Sequence, residues 1–557
     1  MADASPFPAR TAGKVLVDQL LIHGADTAYC VPGESYLEVL DALHDVSDRL
    51  TLINARHEAG AANMAEAHGK LTGRPGICMV TRGPGATQAS VGVHTAFQDS
   101  TPMILLIGQV ARDMKDREAF QEVDYTHFFR DQCKWVAEIN DPARVPEYLA
   151  RAFATAMNGR PGPVVLSLPE DMLTEIADAP AIRRVETAHA APAPGDIAKL
   201  EALLAKAKRP FVIYGGTKWS EETVEKARQF AENNALPVAC SFRSKDHYNN
   251  MGPNYAGDLG VAPNPKLVER VKGADLLIVF GPRLGEMTTS GYTILKPPVL
   301  EGQTLVHIHP GAQELGRVYQ PDLAINATVA AAADALSQIR VDSSAWAGEA
   351  AAAHEEFLAF SSVVEVKRGF NLSKMFCWLS DNLPESAILT NGAGNYAAWL
   401  HRFYRHKQCR TQLGPTSGAM GYGVPAGIAA KLEKPDALVV SVNGDGCFLM
   451  CGQELATAVQ HGANVIFIVA DNGAYGTIRM HQEREYPGRV SGTELKNPDF
   501  AAYAKSFGCE GIRVESFDDF PAAFEQAKNC GKPALLHLIC DVEEIAPGRT
   551  ISGLRGK

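Results

Sequence analysis

The chain has 557 residues, with 53 Lys and Arg against 64 Asp and Glu for a formal net charge of −11, and 46% of its residues are hydrophobic. That is too long for one hydrophobic core and predicts roughly three domains of ordinary size. Negative charge spread without long runs argues against nucleic acid or an anionic membrane surface as partner. No apolar stretch approaches the ~20 residues of a membrane span, and residues 1–6 lack the basic region and apolar core of a secretory signal. The 11 cysteines show no paired zinc spacing; an odd number of thiols in apolar surroundings reads as reduced Cys in a cytoplasmic protein.

Helical and strand patterns alternate through the first segment. Residues 11–23 place Val15, Leu16, Leu20 and Leu21 at helical spacing. Short apolar runs follow at 27–31, 52–55, 76–80 and 103–107, and alanine-rich 59–71 reads as a closely packed helix. The first run leads into Pro32-Gly33-Glu34-Ser35, the second into Arg56-His57-Glu58, and the third into Arg82-Gly83-Pro84-Gly85. Strands separated by helices predict a doubly wound parallel sheet. Residues 186–195, rich in Ala and Pro, have linker character. A second segment carries strands at 210–214, 276–280 and 305–309, and alanine-rich 343–354 marks the next boundary. The expected fold is α/β, with three doubly wound parallel-sheet domains at 1–182, 196–340 and 357–547.

The third segment holds the most informative stretch. An apolar run at 437–442 breaks into Asn443-Gly444-Asp445-Gly446-Cys447. A helical segment at 452–461 and a second apolar run at 464–470 then lead to Asp471-Asn472-Gly473-Ala474-Tyr475-Gly476. This is one parallel crossover unit, and strand ends are where such units place ligands. Both turns offer oxygen donors, Asp445 and the Asn472 side chain, suited to a hard cation such as Mg²⁺ that completes its shell with phosphate and water. Gly444 and Gly446 let a diphosphate approach the backbone, and a helix N-terminus behind them favours its charge.

Gly-Asp-Gly followed some two dozen residues later by Asn resembles the binding motif of thiamine diphosphate enzymes. The resemblance implies thiamine diphosphate and Mg²⁺ as cofactors, with Asp445, Asn472 and the Ala474 carbonyl as metal ligands. Where the family usually has Asn-Asn, this chain reads Asp471-Asn472. The resemblance also implies that Glu58 hydrogen-bonds the cofactor's aminopyrimidine and so promotes removal of the C2 proton. The loop 416–426 is similar to the family loop that wedges an apolar side chain under the cofactor, here Met420, with Gly418 beside it. Gly33, Gly394, Asn395, Tyr396, Gly444, Gly446, Cys447, Tyr475 and Gly476 are the further residues expected at the cofactor. Gly83-Pro84-Gly85-Ala86-Thr87, Gly108-Gln109-Val110 and Ala119-Phe120-Gln121-Glu122 resemble acetolactate synthase, of the branch that includes pyruvate decarboxylase, and the likeness covers nearly the whole chain. By that resemblance Phe120 and Gln121 line the substrate side, while FAD is doubtful as a further cofactor because the central domain lacks the acidic residue expected near a nucleotide. The site is shared across a subunit boundary, which implies at least a homodimer and often a homotetramer.

Departures from the family bear on the substrate. Acetolactate synthases carry a lysine after the Leu-Pro or Val-Pro that closes the first domain; here Glu170 follows Leu168-Pro169. Met287 stands where a substrate-binding arginine is expected, and His481 where a tryptophan shapes the pocket. Losing two cations and gaining an acid weakens recognition of a second 2-oxo acid. The acidic residue expected near a central-domain nucleotide is replaced by His307-Ile308-His309-Pro310. The expected function is thiamine diphosphate- and Mg²⁺-dependent cleavage or formation of a C–C bond in a small carbonyl substrate, a 2-oxo acid or 2-hydroxy ketone, with an altered acceptor site. One alternative is a lyase or decarboxylase of 2-hydroxyacyl-CoA or oxalyl-CoA, with His481 as candidate proton relay. Another is a non-catalytic cofactor-binding assembly or regulatory protein, against which Glu58, Asp445, Asn472 and Met420 together stand.

Overall fold

The computed structural model describes residues 10–556; residues 1–6, read above for a signal, lie outside the described residues. Among the described residues are three six-stranded sheets, in which every strand pair is parallel, and a two-stranded antiparallel pair, Arg10–Thr11 with Ile176–Ala177. Packing groups the chain into two compact units. One comprises the residues up to 188 with 424–435 and 451–463; the other comprises 189–423, 436–450 and 464–557.

The first sheet runs in the spatial order Thr51–Asn54, Thr27–Cys30, Gly76–Val80, Met103–Gln109, Pro163–Pro169, Trp135–Glu138. Gly76–Val80, Met103–Gln109 and Pro163–Pro169 are buried at every position. Such strands show no inside–outside alternation because both faces of a parallel sheet are covered by helices. Helix Glu58–Thr72 starts on His57, whose Nδ1 accepts the Ala59 N–H, and stops at Gly73 with φ 73°. Its alanines give it a thin face, so helix Pro84–Asp99 approaches closely, with Gly92 against Ala62.

The central sheet has the order Tyr255–Asp258, Val238–Cys240, Pro210–Tyr214, Leu276–Phe280, Thr304–His309, Leu323–Asn326. Much of the alanine-rich stretch expected at the next boundary folds as helix Glu349–Phe360. Its Phe357 meets the Tyr255 ring edge-on at 4.7 Å within the core of the central sheet.

The third sheet runs Gln412–Leu413, Ile388–Asn391, Val439–Gly444, Ile466–Asp471, Ala534–Ile539, Glu510–Val514. The apolar run expected at 437–442 forms its strand two residues later. Asn443 and Gly444 therefore pair with Val469 and Ala470 inside the ladder, and Asp445 opens a single helical turn, Asp445–Phe448.

Candidate active site

Glu58 is the first residue of its helix and follows the strand Thr51–Asn54. The loop presenting it is anchored by Glu454, which is fully buried. The Arg56 N–H donates to both Glu454 oxygens (3.1 and 3.2 Å), the Thr457 hydroxyl donates to one of them (2.6 Å), and the His57 backbone contributes a further bond. Burial pushes the Glu454 carboxyl up, against these hydrogen bonds. Removing the carboxylate would orphan backbone donors at about 1–3 kcal/mol each. Glu454 escaped the sequence reading because Arg56 lies 398 positions away along the chain.

The substrate-side pair expected from sequence is brought together with the loop after Gly76–Val80. Gly83 has φ 59°, and a β-carbon there would sit 2.7 Å from that of Gln121. The Gly83 N–H donates to the Tyr125 hydroxyl at 2.7 Å. Phe120 is 72% exposed, and its carbonyl accepts from Arg82 Nε at 3.3 Å. Glu170 is ion-paired with Arg82 at 2.9 Å. Gly33 lies against Thr81, where any β-carbon would clash.

On the third sheet, Asp445, Asn472 and Ala474 are adjacent. Asp445 Oδ1 accepts the Gly446 N–H (2.9 Å), and Asp445 Oδ2 accepts the Ala474 N–H (3.2 Å). The same Ala474 N–H lies 3.2 Å from Asn472 Oδ1. Asn497, missed in the sequence, donates through one nitrogen to Asp445 Oδ2 (2.8 Å) and Asp471 Oδ1 (2.7 Å). His537 Nε2 lies 2.9 Å from the other Asp471 oxygen. Burial pushes the Asp445 carboxyl up to about 6, against hydrogen bonds from Gly446 and Asn497, and the Asp471 charge adds to the rise. Burial works the same way on Asp471, but hydrogen bonds from His537 and Asn497 outweigh it and hold that carboxyl below its usual range. Two carboxylates bound to one nitrogen repel by about 3 kcal/mol at an effective dielectric near 20, and a divalent cation relieves that repulsion. The donor set thus fits Mg²⁺. Nearby, Asn391 Oδ1 and Asn443 Oδ1 are buried acceptors without partners, at the two strand ends where the sheet order reverses. A ligand N–H would satisfy them.

The other expected residues are placed as follows. Tyr396 is buried; its hydroxyl accepts the Gly392 N–H (3.0 Å) and lies 3.2 Å from Cys447 Sγ, which also receives the Gly421 N–H. Asn395 spends its side chain on Ile545 O and the Thr477 hydroxyl, so its backbone and that of Gly394 are what it leaves for a ligand. The Tyr475 ring covers Gly446, and Gly476 opens helix Gly476–Glu485. Met420 is half-buried against the core of the third sheet, and Gly418 is exposed with φ 70°. His481 is exposed and 3.0 Å from Arg484, and Met287 is 39% exposed. His307 and His309 are both buried; His307 is tied to the Pro282 carbonyl and His309 to the Gly311 backbone. Among the described residues one group of three offers close metal-type donors, Asp26, His68 and Glu433. The Arg74 guanidinium already bonds both carboxylates there, filling the place of a cation.

Three family models match the chain: the thiamine pyrophosphate enzyme N-terminal TPP binding domain at residues 10–128, the central domain at 197–336 and the C-terminal TPP binding domain at 392–538. The chain belongs to the thiamine pyrophosphate enzyme family, and is a thiamine diphosphate-dependent enzyme of the carboligase or decarboxylase type. It is 30% identical to the acetolactate synthase large subunit of Corynebacterium glutamicum over 96% of this chain and 88% of that protein. It is 29% identical to acetolactate synthase isozyme 2 large subunit of Escherichia coli over 96% of each, and 28% identical to the chloroplastic acetolactate synthase 3 of Brassica napus over 97% of this chain and 85% of that protein. Among the described residues no helix is long and apolar enough to cross a membrane.

Proposed function

We propose that this acetolactate synthase-like enzyme makes or breaks a C–C bond beside the carbonyl of a 2-oxo acid or 2-hydroxy ketone, using Mg²⁺ with its thiamine diphosphate and an acceptor site unlike that of acetolactate synthase. Thiamine diphosphate, when bound, supplies the nucleophilic carbon and the electron sink for such chemistry. Asp445, Asn472 and the Ala474 carbonyl would hold Mg²⁺, and Gly444, Gly446 and Cys447 would border the diphosphate. Glu58 would hold a proton at its carboxylate opposite the aminopyrimidine, and Met420 would support the cofactor from below. Phe120 and Gln121 would border the substrate. The observation that carries this reading is the buried Glu454, which fixes the loop presenting Glu58 and which a mere scaffold has no need of. By the family's architecture the assembly is at least a homodimer, to be checked by light scattering of the cofactor-loaded protein.

FAD has less support. The central strand that should end in an acid ends at His309, and both histidines on it are bonded to backbone; no step is assigned to FAD. The test of function is a substrate panel with thiamine diphosphate and Mg²⁺, scored by mass spectrometry. The panel holds pyruvate, longer and aromatic 2-oxo acids, glyoxylate, aldehydes and a 2-hydroxyacyl-CoA. Ligation of a 2-oxo acid to a different acceptor is expected. Acetolactate from pyruvate alone would overturn the altered acceptor site, and turnover confined to the acyl-CoA would overturn the substrate class.

A further inference from the structure

The first sheet reverses its strand order between Thr27–Cys30 and Gly76–Val80. Open α/β sheets bind ligands in the crevice outside the carboxyl ends of their strands at such a point. Glu34 and Ser35 follow one of these strands, Thr81 and Arg82 the other, and the Ser35 and Thr81 hydroxyls join the two loops at 2.8 Å. Glu58 is a neighbour: a β-carbon on Gly85 would lie 3.4 Å from its Oε1.

Arg82 is only 8% exposed at this crevice and is held on three sides. Nη1 donates to Glu170 at 2.9 Å, Nε donates to the Phe120 carbonyl at 3.3 Å, and Nη2 lies 3.5 Å from Glu34. One guanidinium therefore faces two carboxylates. The carboxylates are the outer groups, with side-chain exposures of 66% for Glu34 and 34% for Glu170 against 9% for Arg82. An incoming molecule meets acid before it meets the cation. An anionic acceptor would have to displace Glu170 from a buried guanidinium, leaving one carboxylate unpaired in either arrangement. A neutral acceptor faces no such exchange. Its hydroxyls can donate to the exposed carboxylate oxygens, and the exposed Phe120 ring offers apolar surface beside them.

We propose that Glu170 and Glu34, acting with Arg82, make the acceptor of this enzyme a neutral aldehyde, hydroxylated or apolar, rather than a second carboxylate-bearing molecule. This rests on the reading above that Glu58 serves a C–C ligation at bound thiamine diphosphate. In the overall reaction the donor R–CO–COO⁻ loses CO₂, its carbonyl carbon bonds to the aldehyde carbon, and the aldehyde oxygen takes up one proton to become the hydroxyl of the product.

The test uses the full chain loaded with thiamine diphosphate and Mg²⁺, and two acceptors of nearly equal size, neutral glycolaldehyde and anionic glyoxylate. The donor is the 2-oxo acid that the panel turns over fastest. The wild type is expected to prefer glycolaldehyde in kcat/KM by roughly tenfold or more, the scale of one unscreened charge a few ångströms away. Glu34→Gln and Glu170→Gln are each expected to narrow that ratio, and the double variant to narrow it by about tenfold. Because Glu34 is exposed, its variant tests the charge effect without disturbing the core. Equal or better use of glyoxylate by the wild type, or an unchanged ratio in the double variant, would overturn the proposal while leaving C–C ligation standing. Absence of CO₂ release and of product with every acceptor, in protein shown calorimetrically to bind thiamine diphosphate, would overturn both the proposal and the reading beneath it.

Discussion

The first and third sheets share one strand order: second, first, third, fourth, sixth, fifth along their own segments. Both therefore reverse at the same place and open a crevice at the same carboxyl edge. The first sheet sets a cation at that edge, Arg82 between Glu170 and Glu34, and Glu454 beneath backbone N–H groups. The third leaves an acid pair, Asp445 and Asp471, sharing a single amide nitrogen. The difference teaches that topology decides where a ligand sits, while the charge left unbalanced decides what kind. An edge whose carboxylates meet a guanidinium and backbone N–H groups is suited to orient and select; an edge whose two carboxylates share one neutral amide is suited to a cation.

That contrast can be broken by substitution, and the largest effect belongs to the first sheet. Glu58→Gln is expected to lower kcat by roughly 10²–10⁴-fold, the range for a lost proton-transfer group, with calorimetric affinity for thiamine diphosphate nearly unchanged. A comparable loss of affinity would show that Glu58 binds rather than activates. On the third sheet, Asp445→Ala should weaken Mg²⁺-dependent cofactor binding by about a hundredfold or more, seen as a requirement for far more Mg²⁺ in the titration.

Smaller changes sharpen the contrast. Asp471→Asn removes the unusual second carboxylate, and Mg²⁺ affinity should fall by about tenfold; an increase would mean that the acid pair is a burden rather than a ligand-ready site. Glu454→Gln keeps the shape but loses charge at a fully buried position, and kcat should fall by about fivefold, the equivalent of one weakened hydrogen bond. The exchange rate of the cofactor's C2 proton, followed by NMR, should fall with it, whereas a purely structural role would shift the melting temperature alone.

The smallest expected effect is a pH response away from both edges. Glu483 receives two bonds from Arg555 (2.8 and 2.7 Å), one from Arg479 (2.9 Å) and one from the Gly488 N–H (2.9 Å). The Arg555 pairing, countered by burial and helped by Gly488 and Arg479, lowers its carboxyl from 4.5 to about 2. A depressed pKa stabilises above the unfolded value, so this contribution is intact above about pH 4.5 and is lost as the pH falls toward 2. Hydrogen-exchange protection of helix Ile551–Arg555 should fall over that window, and in Glu483→Gln it should be low throughout.

Local pattern carried much of this architecture. Runs of consecutive apolar residues at 76–80, 210–214 and 276–280 became strands with those bounds, because a strand buried on both faces needs apolar side chains at every position. The spacing of Asp445 and Asn472 within one crossover unit was legible for the same reason: a single strand–helix–strand unit has few geometries. Glu170 was legible as a change of charge, but its pairing with Arg82 was not, since those residues leave different strands of the sheet.

By itself, then, the sequence determined the three parallel sheets, the loops that carry Glu58 and Asp445, and the cofactor those loops resemble sites for. The sheets and loops follow from periodicity and short-range spacing, which local sterics and burial translate directly into structure, and the cofactor follows from the family resemblance those loops carry. Only the tertiary structure decided which groups neutralise one another. Glu454 under Arg56, Asn497 between two carboxylates, and Arg82 between two glutamates are contacts between residues remote in the chain. Their energies depend on burial and on distances of a few ångströms, which no local pattern records.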